Sequence, residues 1–422
     1  MQKQIKDYID KYLSQHLCGY RKGYNSQYAL LAMVEKWKKT LDSRGGKIGA
    51  VLMDLSKAFD TINHELMIAK LDAYGFDSDA LHIVLDYLSD RWQRTKVNDS
   101  FSDWSELLCG VPQGSVLGPL LFNIYLNDIF YILVKTHTCN FADDTTLSAC
   151  DTNLEDLLHN LEDDTLSAIL WFDANFMKLN EGKCHFLTQG TEEVLFAKVG
   201  NEIIWESSTE KLLGVDVDNK LNFNQHLTNV CKKASCKVTA LAKIVRFLPF
   251  HKRSLLLQTF IESQFSYCPL VWMFCTVKMN KKINHMQQRA LRLVHNDYVS
   301  TFEELLIKDK SISFHHRNIH CVATEMFKVK NNLSPKFIQE LFTYHEHTNK
   351  FMRPNVRTVK MGQRSLLNFG PIVWNTMLSD HIKSSPNLNI FKDRIKSWIP
   401  ENCKCRLCKD HNNDCKCYLC RD

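Results

Sequence analysis

Two adjacent carboxylates, Asp143 and Asp144, follow the run Cys139-Asn140-Phe141-Ala142, and Thr145-Thr146-Leu147 leads away from them. Apolar residues in and a β-branched run out read as strand, two-residue turn, strand, with the aspartates at the turn. Neighbouring side chains in a strand point to opposite faces, so a turn is what lets both carboxylates approach one spot. Two anions held together repel unless a proton or a cation stands between them. A divalent ion relieves that repulsion, and Mg²⁺ with oxygen ligands at about 2.1 Å suits carboxylates. Taken alone, the pair fits an ordinary solvated turn better. A third carboxylate shifts the reading: Ile48-Gly49-Ala50-Val51-Leu52-Met53 is a short apolar run, a buried strand, and Asp54 stands at its end. Leu55-Ser56-Lys57-Ala58-Phe59-Asp60 follows it, and Gly110-Val111-Pro112-Gln113-Gly114-Ser115-Val116-Leu117-Gly118-Pro119 lies between the two acidic sites.

These three segments, in this order, resemble motifs A, B and C of the reverse transcriptase palm, most closely those of non-LTR (LINE-type, jockey-like) retrotransposons. Asp-x4-Phe, then Pro-Gln-Gly-Ser, then Phe-Ala-Asp-Asp is a specific combination. It covers roughly the first half of the chain. The resemblance implies a right-hand polymerase of the α+β class, with Asp54, Asp143 and Asp144 as ligands of two Mg²⁺ ions about 3.5–4 Å apart. It implies that Phe59 lies under the sugar and excludes a ribose 2′-hydroxyl, and that Gln113 and Gly114 border the nucleotide and template bases. Gly19-Tyr20-Arg21-Lys22-Gly23-Tyr24-Asn25-Ser26 resembles the fingers motif before the palm, which makes Arg21 the first and Lys22 the second candidate to approach the triphosphate. Phe176 to Cys184 resembles motif D. Its Lys183 is a candidate general acid for the leaving pyrophosphate. Glu210-Lys211-Leu212-Leu213-Gly214-Val215 resembles the primer-supporting hairpin of motif E, where Gly214 would let another backbone pass close by.

The elements that must position these groups follow from periodicity and punctuation. Residues 1–17 read as an amphipathic helix and Ser26 to about Leu41 as a second. Asp60 or Thr61 is placed to cap a helix running to Tyr74 and stopped by Gly75, and Asp79 to cap the next. Arg94 to Val97, a turn at Asn98-Asp99-Ser100, and Trp104 to Leu108 read as a hairpin. Leu117 to Tyr131 forms a helix behind the site. Asn153 to Asn175 is strongly helical, with Leu154, Leu157, Leu158, Leu161, Leu166, Ile169, Leu170 and Phe172 along it.

Charge divides unevenly. Residues 1–225 carry 21 basic and 33 acidic side chains, a net of −12, whereas residues 226–422 carry 32 and 14, a net of +18. An acidic catalytic half and a basic half suit metal ions in one part and a polyanion in the other. The first basic helix carries Lys232, Lys233, Lys237, Lys243 and Arg246, with Lys252 and Arg253 beyond; the second carries Lys281, Lys282, Arg289 and Arg292. The expected division is partial fingers 1–47, palm 48–223, thumb 224–300, a helical extension 301–400 and a Cys-rich tail 401–422. In that tail Cys403, Cys405 and Cys408 are echoed by Cys415, Cys417 and Cys420. Thiolates so dense among Lys and Arg point to Zn²⁺, with disulfides as the rival in an oxidising compartment. Neither a signal peptide nor a bilayer-spanning run is present, since Asn123, Asn127 and Asp128 interrupt Phe122 to Val134.

The expected function is RNA-directed DNA polymerase of a mobile element, inside the cell in nucleus and cytoplasm, with RNA template, DNA primer and deoxynucleoside triphosphates as partners. Two other readings stay open. One is a catalytically silent, truncated remnant that binds nucleic acid, because the family has further fingers strands and an endonuclease domain before this point. The other is an RNA-dependent RNA polymerase, against which stands the bulk of Phe59.

Overall fold

The computed structural model describes residues 1–399. They group into two compact units, the first made of residues 1–29 and 45–207, the second of residues 30–44 and the chain from Ser208 on. No helix among the described residues is long and apolar enough to cross a membrane. The Cys403–Cys420 cluster lies outside the described residues.

In the first unit, α1 (Gln2–Ile9) leads to the first turn of α2 (Ser26–Asp42), then β1 (Lys47–Met53), β2 (Leu55–Ser56), α3 (His64–Ala73) and α4 (Ser78–Leu88). Four two-residue strands follow: β3 (Trp92–Gln93), β4 (Lys96–Val97), β5 (Ser100–Phe101) and β6 (Ser105–Glu106). The rest comprises α5 (Gly118–Leu126), β7 (His137–Phe141), β8 (Asp144–Asp151), α6 (Leu154–Ala174), β9 (Lys178–Leu179), β10 (His185–Gln189), β11 (Phe196–Val199) and β12 (Glu202–Trp205). The central sheet is antiparallel, in the order β10-β1-β8-β7. β1 is apolar along almost its whole length because side chains on both of its faces are buried. Helix α6 lies over the sheet: Leu157, Leu161, Ala168 and Phe172, spaced by helical turns, share one core with Val51, Met53 and Leu147. Asn153 caps it by accepting from the Glu155 N–H.

Local expectations shift where backbone partners compete for the same residues. The first helix stops at Ile9 rather than residue 17, because the following chain gives its backbone to the free edge of β7. Cys18 N–H donates to the Asn140 carbonyl (2.8 Å) and Asn140 N–H to the His16 carbonyl (3.0 Å). Helix α3 is capped by Asn63, which accepts from Leu66 N–H (2.8 Å), not by Asp60 or Thr61. The carboxylate of Asp60 is engaged elsewhere. Asp77 rather than Asp79 caps α4, while Gly75 ends α3 with φ +83°.

The second unit takes α2 from Leu30 onward and continues with β13 (Thr209–Leu212), β14 (Val215–Asp218), α7 (Asn224–Ile244), α8 (Phe250–Leu256), α9 (Pro269–Trp272), α10 (Val277–His295), α11 (Phe302–Asp309) and α12 (Phe314–Lys330). The β13–β14 hairpin resembling motif E therefore groups with the helices after it, so residues 48–223 are not one compact body. What approaches Gly214 is the Tyr267 ring, whose hydroxyl donates to the Leu213 carbonyl, rather than a second backbone. Helices α7 and α10 pack together, and Arg289 bonds Ser235 and Thr239 across them. Lys232, Lys233, Lys243, Arg246, Lys252, Lys281 and Lys282 remain exposed, whereas Arg253 is spent on the Leu248 carbonyl (2.7 Å).

Within this unit, α2 carries charge into the interior. The Glu35 carboxylate, 1% exposed, accepts the N–H groups of Leu366 (2.9 Å) and Leu367 (3.0 Å). Lys38 donates to the Arg364 carbonyl (2.9 Å) with its pKa pulled down by burial, and Asp42 accepts from Arg357 and Thr358 N–H. Glu35→Ala is expected to cost about 2–4 kcal/mol, since it strands two buried donors and a buried ammonium. A urea melt of the full chain measures this, and a loss under about 1 kcal/mol would mean water reaches those groups.

Candidate active site

Three strand ends meet at one corner of the central sheet. Asp54 is the residue after β1, half-buried, and β1 lies beside β8 with Met53 opposite Thr145. Asp54 stands one residue beyond that pair, close enough for its charge to act on Asp144. The β7–β8 connection has the expected length but is shifted by one residue. Ala142 and Asp143 form the two-residue turn, Phe141 pairs with Asp144, and Asp144 is already the first residue of β8. The turn sits one residue earlier because Asn140, buried at the end of β7, reaches across it. Its Nδ2 donates to the Ala142 carbonyl (2.8 Å) and to Thr145 Oγ1 (2.9 Å). Ala142 is held at φ +60°, a region a residue with a Cβ rarely occupies.

Charge crowding follows from this placement. Burial pushes the Asp144 carboxyl above the ordinary carboxylate range, and the charges of Asp143 and Asp54 push it further. The Tyr20 phenol is likewise raised, by burial first and then by Asp143. Lys183 brings the opposite charge: its ammonium is 3.6 Å from Asp54 Oδ2. The motif D segment is delivered by pairing, since β9 lies against β2 with Leu55 opposite Leu179, and Asn180 N–H donates to the Asp54 carbonyl (2.9 Å). Among the described residues no three His, Cys, Asp or Glu side chains form a ready metal cage. The donor set nevertheless fits a hard divalent cation, since all three groups are carboxylates and Asp144 is destabilised in its charged form by the other two.

The sign of that crowding can be measured. A carboxyl whose folded pKa is raised adds stability below its unfolded pKa and loses it as pH rises through the folded value. Near neutral pH, charged Asp144 therefore works against the fold when no cation is bound. Asp144→Asn is expected to raise the melting temperature in EDTA at pH 7, with the gain disappearing toward pH 3. A variant that melts lower at pH 7 would reject the crowding.

Phe59 and the Pro-Gln-Gly segment are cross-braced beside this corner. The Phe59 ring stacks on the fully buried Phe122 ring at 4.4 Å and 20°, and meets Tyr20 edge-on at 5.9 Å. Its carbonyl accepts Val111 N–H (2.9 Å), and Gln113 Nε2 donates to Asp60 Oδ1 (2.9 Å). Gly110 must be glycine on two counts: φ is +86°, and a Cβ would stand 2.8 Å from Asp60 Cα. Gln113 and Gly114 are exposed.

Arg21 is different. The sequence reads as an exposed basic turn, yet its side chain is only 8% exposed. The guanidinium donates to the Ser14 carbonyl (2.6 Å) and reaches the Asp10 carboxylate (3.3 Å), which leaves it tying residues 10–21 together. Arg21 is thus engaged within the chain, while Lys22, the second candidate, is exposed.

Sequence reasoning missed Tyr20, Asn140 and Asp60, whose parts depend on pairing partners distant in the chain. It also missed Gly19, where a Cβ would lie 2.5 Å from Ala142 N. Gly19→Ala is expected to displace the carboxylate turn and to cost about 1–3 kcal/mol. A denaturant melt run alongside the extension rate checks this; unchanged stability and rate would show that the turn yields freely.

A strand-ended triad of carboxylates thus stands beside a braced Pro-Gln-Gly segment. The reverse transcriptase (RNA-dependent DNA polymerase) family model matches residues 1–217, and the chain belongs to that family. It is similar to the probable RNA-directed DNA polymerase from transposon BS of Drosophila melanogaster, 24% identical over 67% of this chain and 32% of that protein. The RNA-directed DNA polymerase from mobile element jockey of the same organism is also 24% identical, over 58% of this chain and 28% of its own length. The chain thus spans about a third of the length of the curated relatives it matches. Among solved structures, apo telomerase from Candida tropicalis overlaps 75% of this chain and 54% of its own at a TM-score of 0.41 and 12% identity.

Proposed function

We propose that the chain catalyses RNA-templated extension of a DNA primer as the polymerase part of a mobile element. The carrying observation is the meeting of Asp54, Asp143 and Asp144 at one sheet corner, with Lys183 3.6 Å from Asp54. In this reading the central sheet with α3, α5 and α6 is the palm, residues before β1 belong to the fingers, and α7 with α10 forms the thumb. Its exposed lysines grip phosphates.

Asp54, Asp143 and Asp144 would hold the two magnesium ions that the family uses. Bound there, Mg²⁺ neutralises charge on the triphosphate and lowers the pKa of the primer hydroxyl. The rest of the work belongs to the chain's own side chains. The primer 3′-hydroxyl releases its proton to solvent as its oxygen bonds the α-phosphorus, the bond from that phosphorus to the bridging oxygen breaks, and pyrophosphate leaves. Lys183 Nζ donates the proton the leaving group needs. The stacked Phe59–Phe122 pair supports the deoxyribose and crowds the 2′ position, while Gln113 and Gly114 border the base pair. Preorganised positioning then accounts for most of the rate.

Primer extension by purified protein on an RNA template tests the reading, with deoxynucleotides and Mg²⁺ supplied. Product that grows to the template end supports it. Tight primer–template binding without extension would instead favour a silent nucleic-acid-binding remnant, and extension only with ribonucleotides would favour an RNA polymerase.

A further inference from the structure

The four short strands between α4 and the Pro-Gln-Gly segment build a hairpin that the proposed chemistry does not use. β4 pairs with β5 around Asn98-Asp99, and β3 pairs with β6 at its base, with Lys96 opposite Phe101 and Trp92 opposite Glu106. Side chains alternate faces along such a ribbon. On one face the Arg94 guanidinium lies 4.0 Å from the Phe101 ring centroid and 4.6 Å from that of Trp104, and the Lys96 ammonium lies 5.3 Å from Phe101. Trp92, two residues before Arg94, falls on the same face by alternation. The other face carries Gln93, Thr95, Val97, Ser100 and Ser102, none of them charged.

All three aromatic residues are more than half exposed: Trp92 57%, Phe101 51% and Trp104 57%. Three large rings in water are an unfavourable way to end a hairpin unless something covers them. The two cations sharpen the question. Asp99, Asp103 and Glu106 belong to the same hairpin, yet among the described residues neither Arg94 nor Lys96 has a carboxylate within 4 Å. Their partners are the rings themselves. A protein-binding patch concentrates apolar area at its centre and moves charge to the rim. Here Arg94 stands between two rings and Lys96 beside one of them, an arrangement that suits bases on the rings and phosphates on the cations.

We propose that this face of the hairpin, Trp92, Arg94, Lys96, Phe101 and Trp104, is a stacking platform for single-stranded nucleic acid. Phe101 and Trp104 take successive bases, and Arg94 and Lys96 meet the intervening phosphates. The platform does not depend on the catalytic reading, because its binding needs no metal.

The test is direct titration of the full chain in EDTA with fluorescently labelled 20-nucleotide oligo-U and oligo-dT, and with a 20-base-pair duplex. The Phe101→Ala/Trp104→Ala variant is expected to bind both single strands at least about tenfold more weakly, with duplex affinity within about twofold of the parent. Arg94→Ala should also flatten the salt dependence of single-strand binding by about one unit of log–log slope. A loss for oligo-U alone or oligo-dT alone would still support the platform and would name the strand it takes. Unchanged single-strand affinity in a variant with the parent's melting curve overturns the proposal. So does an equal loss for strand and duplex, which would reduce the hairpin to a nonspecific charge. A parent dimer that the double variant splits, with single-strand affinity intact, would overturn it in favour of a second copy of the chain.

Discussion

Asp143→Asn is expected to reduce primer extension at least about 10²-fold, equivalent to about 3 kcal/mol of transition-state stabilisation, while primer–template affinity stays within a few-fold. The separation follows from where the groups lie. Asp143 is an exposed turn residue that no packing depends on, and the exposed lysines proposed to grip phosphates are on other elements. Asparagine keeps the size and loses the charge that the reacting phosphates and their counter-ions require. An internal check comes from Tyr20. Since the charge of Asp143 helps to raise its phenol, the variant should titrate that tyrosine at lower pH by ultraviolet absorbance. Retained extension would remove Asp143 from the metal ligands. An unmoved Tyr20 would show the turn to be placed differently.

Phe59→Val is expected to raise the kcat/KM ratio of ribonucleotide to deoxynucleotide at least about tenfold, while deoxynucleotide use changes far less. Phe122 holds the Phe59 ring flat from behind at 4.4 Å, so the ring cannot retreat from a 2′-hydroxyl as a freely rotating side chain could. Shortening it opens that space and removes nothing specific to deoxyribose. The same stacking sets the side effect. Loss of a half-buried ring that packs on the core should cost about 2 kcal/mol, visible as a lower melting temperature. The melting change without a change in the ratio would make Phe59 a packing residue only. Both changes together would assign it both parts.

The carboxylates were legible because spacing encodes them: an apolar strand ending in Asp54, then a paired-strand signature around Asp143 and Asp144. Helix α6 was legible through its periodic leucines. Arg21 was not, since basic residues near glycines read as solvated, and its burial depends on carbonyls of Ser14 and Leu17 that no side-chain pattern reports. The caps of α3 and α4 missed by two or three positions because several Asp, Asn and Thr residues compete there, and the backbone path decides among them. Glu35, Lys38 and Asp42 read as the polar side of an ordinary helix. Only the segment around residues 356–367, far away in sequence, turns that side into an interior.

Helix α2 gives this last feature a temporal meaning. Its charged side emerges from the ribosome early, yet the N–H of Leu366 that Glu35 accepts is 331 residues further along. At synthesis rates of about 5–20 residues per second, the helix waits roughly 15–70 s for its counterpart. During that interval Glu35, Lys38 and Asp42 keep the nascent helix hydrated, where leucines at the same places would expose a sticky surface to other chains. The buried charges thus act twice, first as water-compatible groups on an unfinished chain and then as the fasteners that close it.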